Sequence, residues 1–150
     1  MPRLKVNWDD RIFKNKVNRA VRSAQNRRDI LGMVSEQVRT DLEKHFDREV
    51  DSSGLPWTPL SSVTVALRRN KGRESTRILQ DTGTGSRMNI SPSKDRVGSG
   101  AEYMELHNTG GSSTFNGRPV QIPQREWAYV SDDGKQRVKA AIKYYMERNL

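Results

Sequence analysis

The sequence predicts an α+β protein, with two N-terminal helices and a C-terminal helix packed on a small, mainly antiparallel sheet with long loops. Three observations carry that expectation. Apolar residues recur at helical spacing through the first third of the chain, and a capped amphipathic pattern fills its last twenty residues. Between them lie short strand candidates broken by turn chemistry. Helices segregated from strands in this way mark α+β order rather than the alternation of a parallel sheet. The domain organisation that follows is a basic amphipathic helix or arm over residues 1–28 and a single α+β domain over 29–150.

The first helix is carried by Phe13, Val17, Ala20, Val21 and Ala24 on one face, with Arg11, Arg19 and Arg22 opposite. A second is predicted from about Asp29 to Val50, on Leu31, Val34, Val38, Leu42, His45 and Phe46, with Asp29 as N-cap or break between the two. His45 lies on the apolar stripe and reads as a core or interface histidine. Gly54, Pro56 and Pro59 then forbid a continuing helix, and Trp57 is an anchor folded back on the core. Ser61 caps a short helix through about Arg69, followed by a polar basic loop, Arg68 to Arg73, expected to be mobile.

Strands are predicted at Met88–Ser91 and Arg96–Gly98, joined as a hairpin by Ser-Pro-Ser-Lys-Asp, and again at Val120–Ile122 and Trp127–Val130. Glu102 to His107 forms one helical turn, and the Gly/Ser/Thr/Asn-rich stretch from Asn108 to Gly117 is a surface loop or extended arm. The last helix starts at the N-cap Ser131, with Asp132 and Asp133 where the dipole favours anions. Its stripe is Val138, Ala141, Ile142 and Tyr145, and Gly134 weakens its first turn.

The net charge of +9 is unevenly spread. Residues 11–28 carry seven basic and no acidic side chains (+7), and residues 61–80 carry five basic against one acidic (+4), so the remainder sums to −2. The candidate partner- or DNA-facing surface is therefore Arg11, Lys14, Arg19 and Arg22 on the helix and Arg68, Arg69, Lys71 and Arg73 in the loop. Apolar residues make up 33%, and about 40% with the 11 glycines, below the roughly 45–50% of an average soluble domain. Neighbouring subunits are expected to complete so sparse a core.

No cysteine is present, which excludes disulfides, thiolate nucleophiles and Cys-type metal sites. No apolar run is long enough to span a bilayer and Met1 to Asp10 lacks a signal-peptide core, so a soluble intracellular product is expected. Catalytic chemistry is not legible. The two histidines, His45 and His107, have no convincing partner, and Asp132–Asp133 and Asp9–Asp10 cannot aim two carboxylates at one bond. Asp81-Thr82-Gly83 lacks the apolar strand of an aspartic protease, and no phosphate-binding glycine pattern occurs. The expectation is a non-enzyme without cofactor or metal.

Five short signatures, in order, carry a resemblance. Phe46 with Gly54, Trp57, Pro59, Leu60, Ser61 and Thr64 reads as a helix end followed by Gly-x-x-Trp-x-Pro-Leu-Ser-x-x-Thr. Ile78, Leu79, Thr82 and Gly83 form a Thr-Gly turn; Val97, Gly98 and Ser99 form a short strand, followed by Tyr103, His107 and Gly110. Ile122, Pro123, Arg125, Trp127 and Ser131 lead into the last helix. Over residues 46–150 the chain resembles the phage virion morphogenesis family, the tail completion or head–tail joining proteins of long-tailed phages. It departs where Thr84, Gly85 and Ser86 stand in place of a leucine, where Trp127 replaces phenylalanine, and where Gln124 replaces a small residue. The basic N-terminal helix lies outside the region so matched.

The resemblance implies a structural virion protein at the tail end or neck, assembled in the host cytoplasm. It implies a ring of copies of this chain, hexameric, between a tail tube or tail terminator protein and head connector or neck proteins. Non-specific contact with packaged DNA is open to it; membrane contact is not expected. Trp57, Thr82, Gly83, Tyr103, His107, Gly110, Pro123, Arg125 and Trp127 are then structural motif residues. In this reading His107 bonds the turn at Gly110, and Arg125 pairs with a carboxylate or a backbone carbonyl, with direct partner contact as the other role for both. The alternative function is a small sequence-independent nucleic-acid-binding protein, with Lys16, Arg27 and Arg28 joining Arg11, Lys14, Arg19 and Arg22 on phosphates.

Overall fold

The computed structural model describes residues 11–21 and 27–149. Among the described residues there are five helices, α1 (Arg11–Val21), α2 (Arg27–Arg48), α3 (Ser62–Asn70), α4 (Tyr103–Thr109) and α5 (Asp132–Asn149). Four strands, β1 (Met88–Ile90), β2 (Val97–Ser99), β3 (Gly111–Phe115) and β4 (Arg118–Ile122), form two separate two-stranded sheets, β1–β2 and β3–β4. The α+β class is as expected; the strands make two hairpins instead of one sheet. The chain divides into two compact units, one drawn from residues 1–41, 89–98 and 130–150, the other from 42–88 and 99–129.

In the first unit Ile30 and Val38 of α2, Val97 of β2 and Val138 and Ile142 of α5 are buried. Asp29 lies inside the first turn of α2, not at a break, so the carboxylate serves the helix dipole there. The β1–β2 hairpin closes as predicted, with Ser91 N–H donating to Arg96 O (2.9 Å) and Lys94 N–H to Ser91 O (2.9 Å). Ser35 Oγ, on α2, donates to Lys94 O at 2.6 Å.

The start of α5 is double-capped. Ser131 Oγ accepts from Gly134 N–H at 3.0 Å, the N-cap bond read from the sequence. Asp41, only 2% exposed, accepts from Ser131 N–H (2.8 Å) and Ser131 Oγ (2.6 Å) and pairs with Arg137 (3.1 Å). Gly134 has a reason beyond propensity: a Cβ there would overlap the Asp41 carboxylate, whose farthest atom would lie at 2.8 Å.

In the second unit the core is Leu42, Phe46, Trp57, Ile78, Leu79, Met88, Met104 and Trp127. Trp57 meets Phe46 edge-on at 5.6 Å and donates from Nε1 to Glu126 O (2.9 Å). Trp127 donates from Nε1 to Met104 O at 2.8 Å. His45 is a core residue as predicted: 1% exposed, Nδ1 2.9 Å from Trp127 O, its ring stacked 3.8 Å from that of Tyr129. Ser61 caps α3 by accepting from Thr64 N–H.

Two expectations are corrected here. Trp127–Val130 is not a strand: Asn108 Oδ1 takes the N–H groups of Trp127 (3.0 Å) and Ala128 (2.9 Å), leaving no ladder to build. The stretch 111–117, read as loop or arm, is half of a hairpin, in register from Gly111↔Ile122 to Phe115↔Arg118. Its two-residue turn has Asn116 at φ 49° and Gly117 at φ 74°, the left-handed pair that a type I′ turn requires.

Candidate functional site

The second unit holds a cavity of about 720 Å³ in which four of the sequence signatures meet. Pro59, Leu60, Ser61 and Thr64 come from the entry to α3, Leu79 and Thr82 from the Thr-Gly turn, Tyr103 and His107 from α4, and Ile122, Pro123 and Arg125 from the segment after β4. Residues separated by more than sixty positions thus line one wall system. The strand signature Val97–Ser99 is not part of it.

Arg125 is the centre of the polar side. It is 5% exposed, donates from Nε to Thr58 O (2.8 Å) and from Nη2 to Pro59 O (3.2 Å), and so takes the backbone-carbonyl role expected of it. Its own N–H donates to His107 O at 2.7 Å, and its Nη1 lies 3.5 Å from His107 Nδ1. Burial pushes the His107 imidazole below its ordinary value and the Arg125 cation adds to the effect, so the ring is neutral at pH 7 and can accept. His107 therefore does not bond the turn at Gly110, whose N–H donates to Leu106 O (2.7 Å) instead. Gly110 has a different constraint: at φ 72° a Cβ would meet Gln124 N at 3.0 Å. Tyr103 is half exposed and presents its ring edge-on to His107 at 6.2 Å.

Of the four basic residues assigned to a loop, Arg68 and Arg69 lie in the last turn of α3 instead, and Arg68 and Arg73 are engaged in structure. Arg68 is 8% exposed, donates from Nη1 to Ser75 O (3.0 Å) and Arg77 O (2.8 Å), and lies 3.6 Å from Asp81. It is thus a loop anchor, not a surface cation, because the chain after α3 folds back over it. Arg73 pairs with Asp81 at 2.7 Å, whereas Arg69 and Lys71 stay exposed. Arg11, Lys14, Lys16, Arg27 and Arg28 are exposed on α1 and α2. Arg22 and the side chain of Arg19 fall outside the described residues.

Trp57 and Trp127 are buried in the core of the same unit and are not part of the cavity lining. Thr82 is exposed at the rim, and Gly83, at φ 76°, turns the chain there and accepts from Ser86 Oγ at 3.3 Å. Three positions that sequence reasoning missed also matter. Asn108 positions the Trp127 segment, and Gln80 and Arg77 donate to Phe46 O (2.6 and 3.0 Å) near the end of α2. The one available signal was a cation and an amide five and two residues before Thr82, donors of the kind that orphan helix carbonyls need. Among the described residues no group of three or more His, Asp or Glu could hold a metal ion, and no helix is long and apolar enough to cross a membrane.

The profile of the phage virion morphogenesis family matches residues 8–147. The chain belongs to the phage virion morphogenesis family, and its role lies in building the phage particle. The match begins well before residue 46 and takes in the basic helix α1, which the signatures alone had left outside. No curated protein and no solved structure matches the chain.

Proposed function

We propose that the chain is a tail completion, or head–tail joining, protein: a neck component, not an enzyme, whose copies form a ring at the head-proximal end of the phage tail. Its neighbours are a tail tube or tail terminator protein on one side and head connector or neck proteins on the other. The observation that carries this reading is the β3–β4 hairpin. Every residue from 111 to 121 is exposed, including Phe115 at 59% near the tip. A two-stranded hairpin alone in water is marginally stable. An arm of this kind gains its stability when another chain covers it, and the same contact repeated head to tail closes a ring. The low apolar fraction supports the same reading. Native mass measurement of the purified protein, with imaging of assembled particles, tests it: a closed oligomer located at the neck is expected, and a strict monomer absent from virions overturns it.

A second contact is favoured by a separate observation. Arg11, Lys14 and Lys16 on α1, with Arg27 and Arg28, are exposed and lie in a segment with no acidic side chain. They suit packaged DNA passing the neck, bound through phosphates without sequence preference. Affinity for random duplex is then steeply salt-dependent; no affinity at low salt removes this contact.

A further inference from the structure

We propose that the cavity around Arg125 is a binding site for a carboxylate side chain, carried on a peptide segment of another, acidic protein. The inference rests on the virion-assembly reading only for where that protein sits. The starting observation is a buried cation without a counter-ion. Arg125 is 5% exposed, yet among the described residues no carboxylate pairs with it. A guanidinium offers five N–H donors. Here two go to carbonyl oxygens and a third faces His107 Nδ1 at the long distance of 3.5 Å, so donors are left over.

The neighbourhood makes the deficit worse. Asp81, the one acidic residue of the lining, is shared between Arg68 (3.6 Å) and Arg73 (2.7 Å), so it serves two of the three guanidinium groups and Arg125 is left without a carboxylate. The positive end of α3, at Ser61 and Thr64, borders the same cavity and carries no acidic residue in its first turn. Buried charges are normally paired, and a bidentate carboxylate is the partner that a guanidinium fork fits best.

The remaining lining decides which anion. Leu60, Leu79, Val120 and Ile122 are apolar and suit the stem of a glutamate or aspartate and its flanking residues. A second copy of this chain is the weaker donor, because it carries a net charge of +9. Charge complementarity therefore selects an acidic segment of a different protein.

The test uses the full chain and three probes: a short acetylated peptide alternating glutamate and leucine, the same peptide with glutamine, and a short random DNA duplex. Calorimetry at physiological salt reads affinity. The glutamate peptide is expected to bind, the glutamine peptide about tenfold or more weakly. Arg125→Lys keeps the charge but loses the fork and is expected to weaken binding by about the same factor. Should that variant fail to fold, Thr82→Trp decides, since it fills the exposed rim and leaves the Arg125 bonds intact. Equal binding of the two peptides, no binding of either, full affinity in both variants, or duplex displacing the peptide from the cavity each overturns the proposal. Sedimentation of the same samples reads the ring separately: a monomer that binds the peptide keeps this site and loses the ring, and a ring blind to the peptide does the reverse.

Discussion

Replacing Gly134 by alanine separates local helix propensity from tertiary packing. Within a helix, alanine is favoured over glycine by about 1 kcal/mol, so propensity alone predicts a more stable protein. The structure predicts the opposite. The new methyl would fall within the Asp41 carboxylate, whose farthest atom would lie at 2.8 Å, and Asp41 is 2% exposed and has nowhere to retreat. Moving it breaks the bonds to Ser131 N–H and Oγ and the pair with Arg137. Breaking a buried charged pair costs about 3–5 kcal/mol, and subtracting the propensity gain leaves a net loss of about 2–4 kcal/mol. For a chain of this size that lowers the melting temperature by about 5–15 °C, read by thermal circular dichroism. The double variant Asp41→Ala, Gly134→Ala removes the clash, so the two costs must fall well short of additive. A Gly134→Ala protein as stable as the parent, or additive costs, refutes the reasoning.

Three further outcomes follow from the second unit. His107 is held below its ordinary value, first by burial and then by Arg125, so the unfolded chain binds the extra proton more readily. Its contribution to stability is therefore intact above about pH 6.5 and is lost as pH falls below that value, and His107→Gln should flatten the fall in urea midpoint between neutral and mildly acidic pH. Trp127→Phe restores the residue usual in the family but strips Met104 O of the indole N–H, costing about 1–3 kcal/mol by urea unfolding. Arg68→Ala frees the chain at Ser75 and Arg77 and should cost about 2–3 kcal/mol, whereas Arg69→Ala and Lys71→Ala should stay within about 0.5 kcal/mol.

Features that a single stretch of chain decides were legible before the structure. Ser61 and Ser131 cap their helices because a hydroxyl needs only the N–H three residues on. The β1–β2 hairpin and the burial of His45 follow from spacing in the same way. What was not legible depends on partners remote in sequence. A charge count sees Arg68 as surface because it cannot see residues 71–77 wrapping back on it. Trp127–Val130 has the composition of a strand, but Asn108, twenty positions earlier, satisfies its backbone first. Asn116–Gly117 was a readable turn signal, obscured because serine and threonine flank it where alternating apolar residues normally would. The cavity itself is visible in sequence only as separate signatures, and the missing counter-ion of Arg125 only in three dimensions.

In the proposed ring, the exposed hairpin would set a kinetic and energetic cost on the neighbour that covers it. Its pairings join residues close in the chain, so it closes within about 1–10 μs, far faster than two proteins meet at ordinary concentrations. In the proposed ring, docking would therefore draw on a pre-existing equilibrium between closed and open arms, and the apparent dissociation constant would be the intrinsic one divided by the closed fraction. The left-handed Asn116–Gly117 turn holds that fraction up, so in the proposed ring this exposed dipeptide would set assembly affinity through the arm's closed population.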